Sequence, residues 1–308
     1  MLAMRWTLLG HLKEHAMRYS KVIVALLGII TIGAVHATVI NYPNFNDTTG
    51  LTIVGDTSTA GAPAVLRIVP AAIGQSGAAY STTPIALGTN ATFSTQFQFR
   101  FTDTGGIDPA DGITFVLAAS PDGLGGAGGG LGYLGVPNSF AIEFDTYDNG
   151  ASDGDSDNHI AFDTDGVLTD ADLTNVYGIS VCGFSGGAGC MSNGDIWTAT
   201  INFDGSTNSL NVVVSDPAEM IAFNAFSGTF NIASFLGTNT AFVGFTGSTG
   251  SGFENEDILN WRFANTATLP PVTGVPEPGS LGLFGAGLAG LGVFLRRRRP
   301  QSRNRATC

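Results

Sequence analysis

The sequence predicts an all-β fold in which two antiparallel sheets pack face to face as a β-sandwich. Of the 308 residues, 44% are hydrophobic, 12% are charged and 43 are glycine, a composition that allows a large core and many tight turns. The middle of the chain has no lysine and is rich in Thr, Ser, Asn, Gly, Val, Ile and Phe, as is typical of short strands. No stretch between residues 38 and 268 has the apolar spacing of a long helix.

Strand-like runs recur along this region with turn residues between them. In the clearest run, Phe97 and Phe99 alternate with polar residues, so one face of the strand is buried and the other is wet. Two-faced strands of this kind pack as two layers. A single helical turn is expected at residues 232–236. The predicted strands are residues 65–69, 91–101, 113–118, 140–147, 197–203, 210–214, 241–246 and 257–263.

The first 37 residues have the pattern of a secretory signal peptide. Residues 22–35 are apolar, basic residues precede them, and small residues occupy the −3 and −1 positions of a cleavage site at Ala37. Fourteen apolar residues are too few for a comfortable membrane span. We therefore predict export and removal of residues 1–37 by signal peptidase, with translation starting at Met1 or Met17.

The other end of the chain carries a three-part pattern. A Pro- and Thr-rich linker at residues 269–274 leads to Pro276-Glu277-Pro278, and an uncharged stretch of 17 residues, 279–295, is followed by four arginines. This length is the lower limit for a spanning helix, and the arginines would hold its far end in the cytoplasm.

This order, over residues 275–299, resembles the PEP-CTERM sorting signal. The resemblance implies a Gram-negative bacterium that makes extracellular polysaccharide, and an exosortase that cleaves near Pro276, Glu277 and Pro278. The helix at residues 279–295 would then tether the chain to the inner membrane only transiently, with residues 300–308 in the cytoplasm. The alternative is a permanent tail anchor.

The body of the chain is strongly acidic. Between residues 38 and 277 it has three arginines against 24 Asp and Glu residues. Nucleic acids and anionic lipids are recognised by basic patches, so neither is an expected partner. Such a body suits metal cations, although solubility is an alternative reason for its charge.

The cysteines fit an exported protein. Cys182 and Cys190 flank a glycine-rich loop in the exported part, and we predict a local disulfide between them. Cys308 lies beyond the arginines, on the reducing side of the membrane, and needs no partner.

Residues 141–162 are the segment most suggestive of chemistry. Glu143 and Asp145 project from one face of a strand, about 6–7 Å apart. An acidic loop follows, and His159 opens the next strand. Carboxylates with further oxygen donors can surround a hard cation, and an imidazole suits a second, transition metal. The alternative is a solvated acidic turn. The loop donors are Asn149, Asp153, Asp155 and Asp157.

This segment resembles the metal-binding core of the legume (L-type) lectins. The matching residues, in order, are Glu143, Phe144, Asp145, Thr146, Tyr147, Asn149 and His159. Further similar segments are residues 110–115, the glycine loop at 129–132, and residues 243–245 and 256–261. The resemblance covers about residues 39–265. It implies a concanavalin-like jelly-roll β-sandwich over residues 38–268 that binds carbohydrate.

The resemblance also assigns metal ligands. It implies a transition-metal ion, usually Mn²⁺, and a Ca²⁺ ion that share Asp145. The Mn²⁺ ligands would be Glu143, Asp145 and His159, and the Ca²⁺ ligands Asp145, the Tyr147 carbonyl and Asn149. The family has a further bridging Asp five residues before the histidine, where this chain has Gly154. Asp153 or Asp155 must therefore supply that carboxylate.

Sugar contacts follow from the same resemblance. Asp111 would accept hydrogen bonds from two hydroxyls, the backbone of Gly129 or Gly130 would approach the sugar closely, and the Asn149 amide would donate. In this family the matching Asp follows a cis peptide bond. Candidates for an aromatic platform under the sugar are Tyr133 and Tyr147. No feature of the sequence selects one sugar or one oligomeric state.

Two other functions fit the same architecture. Related glucanases carry E-x-D-x-E on one strand, but the third position here is Tyr147, and a phenol with a pKa near 10 is a poor acid at neutral pH. A glycoside hydrolase is therefore the weaker alternative, and a structural matrix protein that binds no glycan is another. The sequence favours an exported, calcium-dependent lectin without enzymatic activity, at the cell surface or in the extracellular polysaccharide matrix.

Overall fold

The computed structural model describes residues 39–121, 123–168, 178–180 and 190–271. The predicted signal peptide, Cys182, the Pro276-Glu277-Pro278 motif and the apolar stretch at 279–295 lie outside these residues. Within the described ranges, no helix is both long enough and apolar enough to cross a membrane.

The described residues form sixteen strands, one short helix, α1 (Ile232–Leu236), and 3-10 turns at Gly128–Gly130 and Gly150–Ser152. The strands are, in chain order, β1 (Val39–Tyr42), β2 (Leu51–Gly55), β3 (Ser58–Ala60), β4 (Val65–Val69), β5 (Ser76–Ser81), β6 (Ile85–Ala86), β7 (Phe93–Gly105), β8 (Gly112–Ala118), β9 (Ser139–Asp145), β10 (His159–Thr164), β11 (Gly178–Ser180), β12 (Trp197–Asp204), β13 (Ser209–Asp216), β14 (Ile221–Thr229), β15 (Thr240–Ser248) and β16 (Phe253–Ala264). The prediction of an all-β chain with one helical turn at 232–236 is confirmed.

The strands form two antiparallel sheets. Sheet I has the order β14-β13-β12-β7-β16-β4-β3, and β1 also pairs with β16. Sheet II has the order β11-β10-β9-β8-β15-β5-β2, and β6 also pairs with β15. Some neighbouring strands, such as β7 and β16 in sheet I and β8 and β15 in sheet II, come from distant parts of the sequence, which is how residues far apart in the chain reach one site.

The core between the sheets is mainly aromatic. Phe97 of β7 meets Phe144 and Phe245 of sheet II edge-on, with ring centroids 5.6 and 4.9 Å away. Trp261 of β16 lies 5.0 Å from Phe245 and donates from its indole to the Thr95 hydroxyl at 3.0 Å. Each fully buried phenylalanine stabilises the fold by about 2 kcal/mol. The alternation in β7 therefore packs sheet I onto sheet II as predicted.

A second, smaller apolar cluster lies on the other face of sheet II. Tyr80 and Tyr133 are its largest side chains, and both are fully buried. The Tyr80 hydroxyl donates to the Gly123 carbonyl at 2.6 Å, and the Tyr133 hydroxyl lies 2.8 Å from the Ser139 hydroxyl. These contacts fasten the glycine-rich segment that follows β8 onto the sheet, next to the end of the sheet where the candidate site lies.

Candidate functional site

One end of sheet II gathers the residues that the sequence singled out. Asp145, the last residue of β9, pairs with Gly112, the first residue of β8, and with His159, the first residue of β10. Ser248, the last residue of β15, also pairs with Gly112. Four strands thus begin or end along one line, and their loops meet there.

Glu143, Asp145 and His159 are buried together at this end. The His159 Nε2 atom lies 3.4 Å from the Glu143 Oε1 atom, and its Nδ1 atom lies 3.3 Å from the Ser156 carbonyl. Asp145 accepts a hydrogen bond of 2.7 Å from the Tyr147 N–H. Burial raises the pKa of Asp145 well above its usual range, with His159 opposing and Glu143 reinforcing the shift. The structure therefore buries the three residues predicted to hold the transition metal at one end of sheet II, but not in an arrangement that would by itself hold a metal ion.

Asp153 faces the site, whereas Asp155 does not. Asp153 is 3% exposed, its carboxylate accepts a hydrogen bond from the Asn149 N–H, and its charge raises the pKa of Asp111 and Asp145. Asp155 is exposed and has a left-handed backbone conformation with φ of 58°. Of the two candidates for the bridging carboxylate, Asp153 is the one placed among the other acidic groups.

Asp111 is held by its own backbone beside these groups. Its N–H donates to the Ser248 carbonyl at 3.0 Å, and its carbonyl accepts from the Thr146 N–H at 2.9 Å. The Ala110–Asp111 peptide bond is cis, as the resemblance implied. Burial raises the pKa of Asp111 to about 7, while a hydrogen bond from the Gly250 backbone opposes this and the Asp153 charge adds to it.

The glycine loop approaches closely at Gly129. A Cβ atom on Gly129 would overlap the side-chain amide of Asn149, so any larger residue would displace that amide. Gly130 is buried, and its N–H donates to the Ala127 carbonyl at 3.3 Å. A Cβ atom on Gly250 would lie 3.2 Å from the Asp111 Oδ2 atom. The structure thus selects Gly129 over Gly130 as the backbone facing Asn149, and it adds Gly250 beside Asp111.

Two glutamates of β16, which the sequence analysis did not identify, complete the acidic end. Glu254 and Glu256 are fully buried; Glu254 accepts from the Thr146 hydroxyl at 2.8 Å, and Glu256 accepts from the Gly112 N–H at 3.0 Å. Burial raises the pKa of Glu254 to about 7 and that of Glu256 well above its usual range. The alternation of side chains along a strand could have identified them. Glu254 and Glu256 lie four and two residues before the inward-facing Ile258, so all three side chains share one face of β16.

We call these six buried carboxyl groups the acidic end of sheet II. They are Asp111, Glu143, Asp145, Asp153, Glu254 and Glu256. The arginines between residues 38 and 277 are Arg67, Arg100 and Arg262, and all three lie on strands of sheet I; this region has no lysine. Among the described residues, His159 is the basic side chain whose charge acts on the cluster, through Asp145. Buried carboxylates without counter-charge are costly, and they ionise only with a cation nearby.

The described residues do not include a group of three or more His, Cys, Asp or Glu side chains arranged to hold a metal ion. The calcium ligands implied by the resemblance also include a backbone carbonyl and an Asn amide, and these do not belong to the His, Cys, Asp and Glu side chains that define such a group. Two atoms of the acidic end, Asp111 Oδ2 and Glu256 Oε2, are buried and have no hydrogen-bond partner among the described residues. Oxygen donors of this kind fit a hard divalent cation.

Two smaller expectations have different outcomes. Tyr133 is fully buried with its hydroxyl hydrogen-bonded, so the suggestion that it stacks under a sugar is wrong; Tyr147 is half-buried. Cys190 takes part in a disulfide. Its predicted partner, Cys182, lies outside the described residues, so the pairing of these two cysteines stays a prediction.

Comparison with known proteins decides the family. A model of the legume lectin domain matches residues 37–277. The chain belongs to the legume lectin family. A PEP-CTERM protein-sorting motif matches residues 274–299 of this lectin, which marks the chain for export and sorting in a Gram-negative bacterium.

Plant lectins are among the relatives of this lectin. The anti-H(O) lectin of Lotus tetragonolobus is 30% identical over 251 residues, which cover 75% of this chain and 97% of that protein. A lectin alpha chain of Lablab purpureus is 28% identical over 268 residues, covering 80% of this chain and 88% of that one. A solved lectin from Bauhinia forficata in complex with GalNAc matches with a TM-score of 0.60 and 25% identity, covering 74% of this chain and 98% of the other. These matches support carbohydrate binding as the function of the family domain.

Proposed function

We propose that this chain is an exported, calcium-dependent carbohydrate-binding lectin that acts at the cell surface or in the extracellular polysaccharide matrix. The observation that carries the proposal is the acidic end of sheet II, where buried carboxyl groups without arginine or lysine lie beside Asp111, Gly129 and Asn149. The excess negative charge of these carboxyl groups favours binding of a cation, and Asp111, Gly129 and Asn149 suit contact with a sugar.

Calcium would be held by Asp145, Asn149, Asp153 and the Tyr147 carbonyl. The burial of Asp153 and its hydrogen bond from the Asn149 N–H support its choice over Asp155. When bound, the ion supplies the positive charge that the acidic end lacks and ties the 147–153 loop to β9. Glu143, Asp145 and His159 are the residues for a transition-metal ion, because a buried imidazole beside two carboxylates suits Mn²⁺.

The sugar would lie over Asp111. A carboxylate oxygen of Asp111 can accept from a pair of neighbouring hydroxyls, and the Asn149 amide can both donate and accept. Gly129, which has no side chain, lets the Asn149 amide lie directly against the glycine loop, next to the place proposed for the sugar. The GalNAc bound to the Bauhinia forficata lectin supports a sugar as the ligand of this family domain.

Binding is favoured over hydrolysis by the burial of Glu143. The Glu143 side chain is fully enclosed beside His159, so it cannot reach a glycosidic bond, and the third catalytic position of the glucanase pattern is Tyr147. Processing would proceed at both ends: signal peptidase would cut after Ala37, and an exosortase would cut near Glu277. The helix at 279–295 would hold the chain at the inner membrane between the two steps.

The test measures glycan binding with and without calcium. The full chain is applied to a glycan array in excess calcium and again in chelator, together with the variants Asp111→Asn and Asn149→Ala. We expect binding only with calcium and a loss of about 100-fold or more in both variants, since hydrogen bonds to a charged group contribute about 1.5–3 kcal/mol each.

Asp204→Asn is the matched control, because Asp204 is the partly exposed last residue of β12 and its side chain accepts hydrogen bonds from the nearby Ser206. Its binding should equal that of the unmodified chain. Glycan binding that survives both site variants would refute the assigned sugar site. An array without any signal in excess calcium would favour the structural alternative.

A further inference from the structure

The outer face of sheet I carries a pocket of about 450 Å³, which we call the arginine pocket. It lies over β4, β7 and β16, on the side of sheet I turned away from the core. Arg67, Arg100 and Asp257 are among its lining residues, with Gln98 and Asn260 beside them and Pro63 in the wall. The acidic end has no part in it.

The charged residues of the pocket form a row across three neighbouring strands. Asp257 of β16 pairs with Arg67 of β4 on one side and with Arg100 of β7 on the other. Residues directly opposite each other in an antiparallel sheet point to the same face. The row therefore places one arginine on each side of a single carboxylate.

Arg67 satisfies that carboxylate by itself. Its Nε atom donates to one oxygen of Asp257 at 2.8 Å, and a terminal nitrogen donates to the other at 3.0 Å. This is the two-pronged geometry of a strong arginine–carboxylate pair. Both oxygens of Asp257 therefore accept hydrogen bonds from Arg67, without any contribution from Arg100.

Arg100 is left with hydrogen-bonding capacity. Its closest approach to Asp257 is 3.8 Å, which is an ion pair without a hydrogen bond. Its Nε atom is buried and has no hydrogen-bond partner within the described part of the chain. The Arg100 side chain is 35% exposed, so a molecule in the pocket can reach it.

The charge of the row favours an anion with a single charge. Within the row, two arginines against Asp257 leave a formal charge of +1, and the nearby Asp103, whose charge raises the pKa of Arg67, offsets part of it on the Arg67 side. A carboxylate matches this charge and the planar fork of a guanidinium. A phosphate dianion would keep an unbalanced negative charge next to the buried Asp257.

Neutral polar groups of the pocket suit a sugar. The Asn260 amide donates to the Gln98 side-chain carbonyl, and both side chains line the pocket next to Arg100. Amides of this kind can donate to and accept from hydroxyl groups. Leu259 and Pro63 add apolar surface against which a ring can lie.

We propose that the arginine pocket is a second saccharide site, which binds the carboxylate of a uronic acid residue through Arg100. Arg67 and Asp257 position the site by fixing the row, and Gln98 and Asn260 contact the sugar hydroxyls. The site lies on the sheet opposite the proposed calcium-dependent site and uses no metal, so one chain can bind two stretches of polysaccharide at once.

The test is a titration of the full chain in chelator, so that the calcium-dependent site does not contribute. The probes are a tetraglucuronate and the neutral tetraglucoside of the same linkage. We expect the tetraglucuronate to bind, the neutral probe to bind at least tenfold more weakly, and Arg100→Gln to weaken tetraglucuronate binding about tenfold. Arg100→Lys should weaken it at least threefold, because lysine keeps the charge but has no fork.

Arg262→Gln is the matched control. Arg262 lies on the same strand as Asp257, and its guanidinium donates to the Pro270 carbonyl at 2.6 Å, so the variant loses the same charge outside the pocket. Its affinity and that of Asp111→Asn should stay within twofold of the unmodified chain. Equal losses in Arg100→Gln and Arg262→Gln, or equal binding of the neutral probe, would overturn the proposal. Competition by inorganic phosphate as strong as that by glucuronate would also overturn it.

Discussion

Asp257 on sheet I and Asp145 on sheet II are enclosed to the same degree, but their surroundings are opposite. Asp257 accepts two hydrogen bonds from Arg67 and has Arg100 on its other side. Asp145 has Glu143 and Asp153 as charged neighbours, and His159 and the hydrogen bond from the Tyr147 N–H oppose their effect on its pKa. One carboxylate carries its counter-charge in the sequence, while the other needs a proton or a cation from outside.

The two carboxylates differ in what they indicate about ligands. The Arg67–Asp257 ion pair is satisfied within the chain, so the capacity for a ligand on that side lies with Arg100. Buried carboxyl groups in excess destabilise the fold whenever they ionise together. The acidic end is therefore costly to the isolated chain at neutral pH, and a divalent ion that binds there would stabilise the folded state by mass action.

The largest expected effect is the pH dependence of stability in chelator. The raised pKa values of Asp111 and Glu254, each about 7, mean that the folded chain holds protons that the unfolded chain releases at lower pH. Their stabilising contribution is complete below the unfolded pKa, near 4, and is lost as the pH rises through about 7. Unfolding in urea should show a fall of about 3 kcal/mol or more between about pH 5 and pH 8.

The same urea unfolding measurement, repeated with calcium, tests whether the ion replaces the missing positive charge. Excess calcium should restore most of the lost stability at about pH 8 and little of it at about pH 5, because protons compete for the same oxygens. A stability that does not change between these pH values in chelator would show that the acidic end is not under electrostatic stress, and the contrast with Asp257 would be lost.

On sheet I, Arg67→Gln is expected to destabilise the chain by about 2 kcal/mol. Removing one partner of a fully buried pair costs about 3–5 kcal/mol, and the cost here is smaller because Arg100 stays next to Asp257 and the Arg67 side chain is 24% exposed. Urea unfolding should give the same loss with calcium and with chelator. A loss that depends on calcium would mean that the two regions are coupled.

The predicted strands include those whose side chains alternate most clearly, and one of the missed strands is explained by its neighbours. β4 was predicted with its observed bounds, since its apolar residues mark it locally. β5 was missed because Ser76–Ser81 contains mainly small residues and no β-branched one; it is a strand because β2 and β15 pair with it on both sides.

The candidate site divides in the same way. Glu143, Asp145 and His159 lie in one short segment, so spacing alone grouped them. Glu254 and Glu256 reach the site only because β16 of sheet I aims them across the sandwich at Thr146 and Gly112. The choice between Asp153 and Asp155 depended on a turn in which both N–H groups donate to the Gly150 carbonyl, a geometry that residue types do not encode.

The smallest predicted effect isolates one carboxyl group of the acidic end. Glu256→Gln keeps the oxygen that accepts a hydrogen bond from the Gly112 N–H. It removes an ionisable carboxyl group whose pKa is raised by burial and by Glu254. In chelator at about pH 8 the variant should be about 1 kcal/mol more stable than the unmodified chain. The gain is small because the new amide nitrogen replaces Glu256 Oε2, which lacks a partner among the described residues, and a buried amide without a partner is itself destabilising. Glu219→Gln, in the exposed β13–β14 turn, is the control for a general reduction of negative charge. If both variants gained the same stability, net charge would explain the effect, and the acidic end would have no special role.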